Sequence, residues 1–499
     1  MKLLKMIENI PACQVTGSRS QEITGLFYDS RQVVEGGAFF ALPGVKVDGH
    51  LFVKEAIDRG AVAIFAEKTL ALPAGVSLVR VDNARKAMAL AAQAFYGNPT
   101  ADIPVIGVTG TNGKTTVTYL LEAILRAAGK RPAVFGTVNY RFGEVVLPSS
   151  HTTPESVDFL QTLARFRSQG ADALVLEVSS HALDQYRVEG IQFDAGIFTN
   201  LTPEHLDYHG NMENYYASKA AFFRRLLPAC GGVAVVNLDD PYGKRLADEI
   251  PRALTCGSDE QAAVRVKSAH LSVEGIKAQI LTAQGEIELK SPLVGQFNLQ
   301  NILCAFTAGL ALNLDAALVA QGIASAAMVP GRLERIENDR GALILVDYAH
   351  TGDALDKVLA TLQNLHPRRL VTVFGCGGDR DRSKRPVMGE VAARYSDLVV
   401  LTSDNPRTED PLAILEEVRP GIERHHSREV SLAEGKTGSR GFVVLPDRRQ
   451  AIRYAVSIIA EGDILLVAGK GHEDYQIIGT QKHHFDDGEE LRQALASEE

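Results

Sequence analysis

Short, nearly unbroken apolar runs punctuate this chain, and most of them end on glycine, asparagine or an acid. IPVIGV, ADALVLEVSS, DAGIFTNLT and GGVAVVNLDD lie in the middle; GALILVDYAH, RLVTVFGCGG, DLVVLTSDNP and DILLVAGKGHE lie toward the end. Apolar residues at successive positions predict strands covered on both faces, as in a parallel sheet. Between them, stretches such as TTVTYLLEAIL repeat apolar residues at helical spacing, which predicts a helix carrying the chain back to start the next strand. PGRLE separates two such series. The first, from Val105 to about Gly322, predicts a central parallel-sheet domain; the second predicts a doubly wound C-terminal one. Residues up to about 100 read differently. GAFFALPG, AVAIFAE and VSLVRVD predict short strands around one helix, HLFVKEAIDRG, and the turn formers of YGNPTADIP predict a linker. The fold expected is α/β with three domains, 1–100, 101–330 and 331–499.

Polar residues fall where this pattern places ligands, outside the carboxyl ends of the strands. The segment Val105–Gly129 runs a strand through GTNGKTT into an amphipathic helix. Gly110 and Gly113 let backbone N–H groups crowd around an anion at the helix N-terminus, Lys114 adds a point charge, and the Thr115 hydroxyl suits Mg²⁺. The strict phosphate-loop pattern asks for a first glycine where Val108 stands, so the match is to a shortened G-x-x-G-K-T form. An ordinary strand-to-helix turn with a surface lysine is the bland alternative.

Composition narrows the setting. The chain has 499 residues, 45% hydrophobic and 23% charged, typical of a globular protein of several domains. No apolar run approaches the roughly 18 residues of a membrane span. Lys5 and Glu8 interrupt the N-terminal run before a signal-type region forms, so the expected location is the cytoplasm. Five scattered cysteines without C-x-x-C spacing suggest neither a disulfide framework nor a zinc site. A net charge of −9 argues against nucleic acid as a partner.

Further candidates lie past other strands. Glu177 ends LVLE, where a carboxylate could hold a metal beside the phosphates or simply meet solvent. His205, Asp207 and His209 follow the next strand; near Mg²⁺, His205 is a plausible ligand. Lys219, in YYASKAAFF, has no acid within one turn; a snorkelling lysine is the plainer reading of it. A GTPase would need N-K-x-D, and Asn237-Leu238-Asp239-Asp240 lacks the lysine. The remaining use of such a cradle is to activate a carboxylate with ATP for attack by an amine.

GTNGKTT, LEVSSHAL, NLTPEHLDYH, ASKAAFF, GQFNLQN, PGRLE, DYAH, DNPR and GKGHE occur in this order across essentially the whole chain. In that order they resemble the Mur ligase family of cytoplasmic peptidoglycan-precursor enzymes. The resemblance implies that Gly110, Thr111, Asn112, Gly113, Lys114, Thr115 and Thr116 bind ATP, with Asn298 and Asn301 on the adenine side and Arg332 and Asp347 at phosphate and ribose. It implies Thr115, Glu177, His205 and a carbamate on Lys219 around Mg²⁺, with Lys114, Lys219 and His205 as the catalytic set. Adding CO₂ to a neutral amine turns a cation that repels the metal into an anion that orients it. Ser30 resembles the uridine-nucleotide contact, and Thr152, Thr153, Ser179, Gln185 and Arg187 the muramoyl-peptide contacts; before Pro154, Thr153 also suits a helix N-cap.

By the same resemblance, the reaction adds meso-diaminopimelate to UDP-MurNAc-L-Ala-D-Glu through an acyl phosphate. The protein is then a monomer whose partners are small molecules. Arg380, Asp404, Asn405, Pro406, Arg407, Gly469 and Glu473 are expected to hold the diaminopimelate. Arg407 offers a planar fork for a distal carboxylate and Glu473 a partner for the ammonium beside it. A solvent-facing N-P-R turn would equally allow Arg407 to cap a loop. One departure from the family pattern is visible: DYAHTGDAL carries Gly352 where proline is usual, which loosens the loop expected beside the nucleotide. The related enzyme class, folylpolyglutamate synthetase, shares the ATP machinery but is not expected to combine DNPR with GKGHE. A nucleotide-dependent binding module would have no use for the full metal-ligand set.

Overall fold

A computed structural model describes residues 1–44, 47–426 and 428–497. The chain forms two compact units: residues 1–267, 279–288 and 300–326, and residues 268–278, 289–299 and 327–499.

In the first unit, strands Gly25–Phe27, Gly37–Phe40, Ala61–Ala66 and Ser77–Arg80 pair in parallel, with Gln14–Thr16 antiparallel at the edge. The single helix expected there is short, Val53–Asp58 after a 3₁₀ turn. The larger helix is Ala84–Phe95, which the sequence reading missed. Asn83 caps it, accepting from the Lys86 amide, and alanines fill its buried face.

The phosphate-loop strand, Val105–Thr109, sits between Ala173–Glu177 and Ala195–Phe198, all three parallel. Pro132–Phe135 and Val233–Asn237 extend this parallel centre on either side. The flanks depart from the all-parallel expectation: Asn139–Phe142 and Val145–Pro148 return antiparallel as hairpins. Because Glu177 pairs with Val108, it leaves the sheet one strand over from the loop, and His205 follows the strand on the other side.

In the second unit the parallel strands stand in the order Leu343–Asp347, Asp463–Ala468, Arg369–Phe374, Leu398–Leu401, Gly441–Val444. Glu334–Ile336 closes the first edge antiparallel. Alternate residues of each strand enter separate cores on the two faces: Leu343, Leu345, Leu466 and Leu401 on one, Ile344, Val346, Leu465 and Val400 on the other. Burial on both faces is why these strands read as continuous apolar runs. Gly352 is the first residue of the helix Gly352–Gln363, whose N-cap Thr351 accepts from Ala354 N. A Cβ at 352 would lie 2.8 Å from Val387 Cγ1, so Val387 occupies the space a proline ring would need, and the threonine cap holds the turn.

Candidate active site

The loop after Thr109 is a set of backbone bends closed by its neighbours. Gly110 has φ +147° and a Cβ there would fall 1.9 Å from Thr199 Oγ1; Gly113 has φ +85°, with Asn301 Oδ1 2.1 Å from its Cβ position. Only glycine fits either place. The Thr111 and Asn112 amides donate to Asn200 O and Asn200 Oδ1, each at 2.9 Å. Lys114 opens the helix, and its Nζ reaches back to Gly110 O at 2.9 Å and Thr111 O at 2.7 Å. Thr115 and Thr116 are buried beside it.

Lys219 meets the same carbonyl from the other side. Its Nζ donates to Gly110 O at 2.8 Å and lies over the Tyr215 ring, on a helix that continues into a π-helical turn, Phe222–Leu226. At 1% exposure it does not snorkel. Burial, and then the charge of Lys114, hold its amine well below the usual ammonium range. His205 has φ +55° and is exposed; burial of part of its ring pulls its imidazole down, opposed by Glu204 and assisted by Lys114 and Lys219. His209, read beside it in the sequence, is a packing residue: it is buried, bonded to Ser180 Oγ at 2.9 Å and stacked on Tyr215.

Glu177 is fully buried and accepts from Thr137 N at 3.1 Å and Thr137 Oγ1 at 2.9 Å. Thr152 Oγ1 lies 3.1 Å from Thr137 Oγ1. Thr153 does not cap the following helix, whose N-cap is Glu155. Pro154 extends the chain ahead of that helix, and the Thr153 hydroxyl donates to Glu177 O at 2.7 Å and accepts from Ser179 N at 3.0 Å. Arg187 donates to Thr153 O and Gln185 Oε1, both at 2.8 Å, and pairs with Glu155 at 2.9 Å. Thr152, Thr153, Ser179, Gln185 and Arg187 therefore form one network around Glu177. Ser30 is buried elsewhere in the unit with its hydroxyl on Glu55 at 2.7 Å.

No three His, Cys, Asp or Glu side chains gather as a metal cluster among the described residues. Mg²⁺ takes only one or two protein ligands where phosphates and waters supply the rest. A buried carboxylate, the Thr115 hydroxyl and a neutral imidazole around a phosphate loop fit that ion.

In the second unit, neighbouring strand ends converge. Arg407 has φ +51°, held by Arg407 N to Ile477 O at 3.0 Å and Gly479 N to Arg407 O at 2.7 Å. Its Nη1 donates to Gly378 O at 2.8 Å, so it does cap a loop, and that contact fixes the guanidinium. A Cβ on Gly377 would lie 3.0 Å from Arg407 Nη1 and 3.8 Å from Arg380 Cγ, which puts both arginines around one point. Arg380 is exposed, with Nη1 on Asp379 O. Pro406 O packs where a Gly378 Cβ would be, at 1.9 Å. Beneath these loops the buried Arg385 clamps Glu409 through both carboxylate oxygens, at 2.8 and 3.0 Å. Asn405 Nδ2 donates to Glu473 Oε2 at 3.0 Å, and Gly469 faces Asp404 Oδ2. Burial pushes the Glu473 carboxyl up.

Arg332 lies over the Tyr348 ring at 5.0 Å, and both oxygens of the buried Asp347 accept backbone amides, from Leu333 and Ala349. Asn298 donates to Val294 O at 2.9 Å. Thr137, Tyr215 and Lys470 were not found from sequence. Thr137 and Tyr215 carry no motif of their own, and Lys470 sits unremarked inside GKGHE.

Three family models match the chain: the Mur ligase family catalytic domain over residues 22–96, the Mur ligase middle domain over 108–309, and the Mur ligase glutamate ligase domain over 331–471. The UDP-N-acetylmuramoyl-L-alanyl-D-glutamate--2,6-diaminopimelate ligase of Geobacter metallireducens is 52% identical over 99% of this chain and 98% of its own. The protein of the same name from Geobacter sulfurreducens is 50% identical over 100% and 99%. A solved structure of a ligase of that name aligns with TM-score 0.73 at 32% identity, covering 100% of this chain and 99% of that one.

Proposed function

The chain belongs to the Mur ligase family, and we propose from that premise that it joins meso-diaminopimelate to the D-glutamate of UDP-MurNAc-L-Ala-D-Glu at the expense of ATP. The product is the tripeptide precursor of peptidoglycan. The observation that carries the reading is the fixed Arg407 guanidinium and the half-buried Glu473 carboxylate on loops that follow two strands of one sheet, a matched pair for a distal carboxylate and ammonium.

The D-glutamate carboxylate attacks the γ-phosphorus, ADP leaves, and the acyl phosphate formed is open to attack by the amine. The amine then expels phosphate and loses its proton. Backbone N–H groups at the helix start, Gly113 to Thr115, hold the phosphates, Lys114 leaves its loop carbonyls for them, and the Thr152–Arg187 network orients the muramoyl peptide. Thr115, Glu177 and His205 would hold Mg²⁺, which would supply charge neutralisation when bound. Lys219 acts as its carbamate: the neutral amine adds CO₂ and releases one proton, leaving a buried anion. Ser30 reads the uridine nucleotide. The division of labour follows 1–100 for the UDP end, 101–330 for ATP and 331–499 for the amino acid. We place the enzyme in the cytoplasm as a monomer, where ATP and the soluble precursor are available.

Phosphate release coupled to both substrates tests the reading: with UDP-MurNAc-dipeptide and a panel of amino acids, turnover should require both acid and amine and be fastest with meso-diaminopimelate. Turnover with a folate and glutamate in their place would overturn it. Arg407→Ala should collapse the preference for diaminopimelate over lysine by a factor of tens to thousands, from loss of about 2–5 kcal/mol of bidentate pairing. The loss should fall on diaminopimelate use, since lysine has no distal carboxylate. Equal wild-type efficiencies with the two amino acids at subsaturating concentration would refute the assignment.

A further inference from the structure

Lys470 is fully buried, and its ammonium is held by protein groups. Nζ donates to Tyr475 O at 2.7 Å and Asn405 Oδ1 at 3.2 Å and pairs with Asp404 Oδ1 at 3.2 Å; Glu473 Oε2 lies 4.0 Å away. Two of its N–H groups have hydrogen-bond acceptors, and the Asp404 carboxylate faces it as an ion partner. The cation thereby ties two strand-end loops together. Asn405 is held by Lys470 and by Ile477 N at 2.9 Å on its oxygen, so its amide nitrogen is turned to Glu473. Asp404 is held from the other side through its carbonyl, which accepts Gln476 Nε2 at 2.7 Å.

We propose that Lys470 is a positioning residue for the incoming amino acid: its buried ammonium sets Asn405 and Glu473 in place and keeps the Glu473 carboxylate ionised to receive the substrate's distal ammonium. The proposal rests on the amino-acid pocket assigned above. The groups facing Glu473 are Asp404, Asn405, Lys470, Arg407, Tyr475 and Tyr348, with the buried Arg448–Asp487 pair behind them. Burial and Asp404 drive Glu473 toward the neutral acid; Lys470, Asn405 and Arg407 oppose them. Two carboxylates within 4.0 Å of one cation cannot both stay charged easily once that cation is gone.

Lys470→Met keeps the length and volume of the side chain and removes the charge. With amino acid as the varied substrate, the wild-type KM should be level between about pH 6.5 and 8.5. In the variant, KM should be raised and should climb as pH falls, approaching about tenfold per pH unit once Glu473 is mostly protonated, because only ionised Glu473 pairs with the ammonium. Its kcat should change far less, and ATP affinity should be unchanged. A KM increase of equal size at every pH, or a fall in kcat alone, would overturn the proposal. Should Lys470→Met not fold, Lys470→Gln removes the charge, keeps a donor for Tyr475 O and carries the same test; a level profile there also overturns it. The wild type's choice between diaminopimelate and lysine tests the pocket separately. The pH profile is recorded with whichever it uses faster, since both carry an ammonium at that end.

Discussion

Lys219→Ala is expected to slow ligation by about 10³-fold or more, the scale of losing a preorganised charge in a closed site, and to leave the fold intact. An ammonium at 1% exposure whose hydrogen bond goes to a neutral carbonyl, with no carboxylate at ion-pair distance among the described residues, costs several kcal/mol. Burial and the charge of Lys114 hold the amine well below the usual ammonium range, which favours its neutral form beside the phosphate loop. A neutral amine there is a poor partner for phosphate and a good nucleophile for CO₂. The wild type should accordingly lose rate in CO₂-depleted buffer and regain it with bicarbonate. The alanine variant should ignore bicarbonate as a modifier and respond instead to millimolar formate or acetate, which can occupy the vacated space. An undiminished rate in Lys219→Ala would remove Lys219 from the mechanism; a wild type indifferent to CO₂ would remove the carbamate alone.

Lys114→Ala should cost about 10²–10³-fold in phosphate transfer while folding normally. Its ammonium spends the nucleotide-free state on two loop carbonyls, and Gly110 O keeps Lys219 as a donor when Lys114 is gone. Thermal unfolding should move little without nucleotide, whereas the stabilisation produced by added ATP should shrink. Normal ligation by this variant would mean that GTNGKTT is not the phosphate cradle.

These two lysines also mark the limit of sequence reading. The cradle was legible because a strand, two glycines and a helix start are local features. The strand-end acids and loops were legible because burial on both faces makes a run apolar until it leaves the sheet, as at Glu177 and Asp404. Lys219 looked like a surface residue because its environment comes from Gly110 and Tyr215, which are distant in the chain or a turn away. Thr153 looked like a cap because Pro154 suits the start of a helix, but Glu177 offered its carbonyl to the hydroxyl first. Ala84–Phe95 escaped notice because small alanines make a buried face without the bulky stripe that signals a helix. Thr137 could not be read at all: its value lies in standing beside Glu177, and only the pairing of two parallel strands puts it there.

The order of strands in the second unit bears on how the chain is made. Asp463–Ala468 lies between Leu343–Asp347 and Arg369–Phe374, although it is synthesised last. During translation at about 5–20 residues per second, the two earlier strands wait on the order of ten seconds with their facing edges open. Such edges invite pairing with another nascent chain. The loop bearing Asp404 emerges well before Gly469 and Glu473, so the amino-acid pocket can close only after the final strand has slotted in. Premature termination after residue 374 and before residue 463 should therefore yield an aggregating product rather than a truncated enzyme with a weaker site.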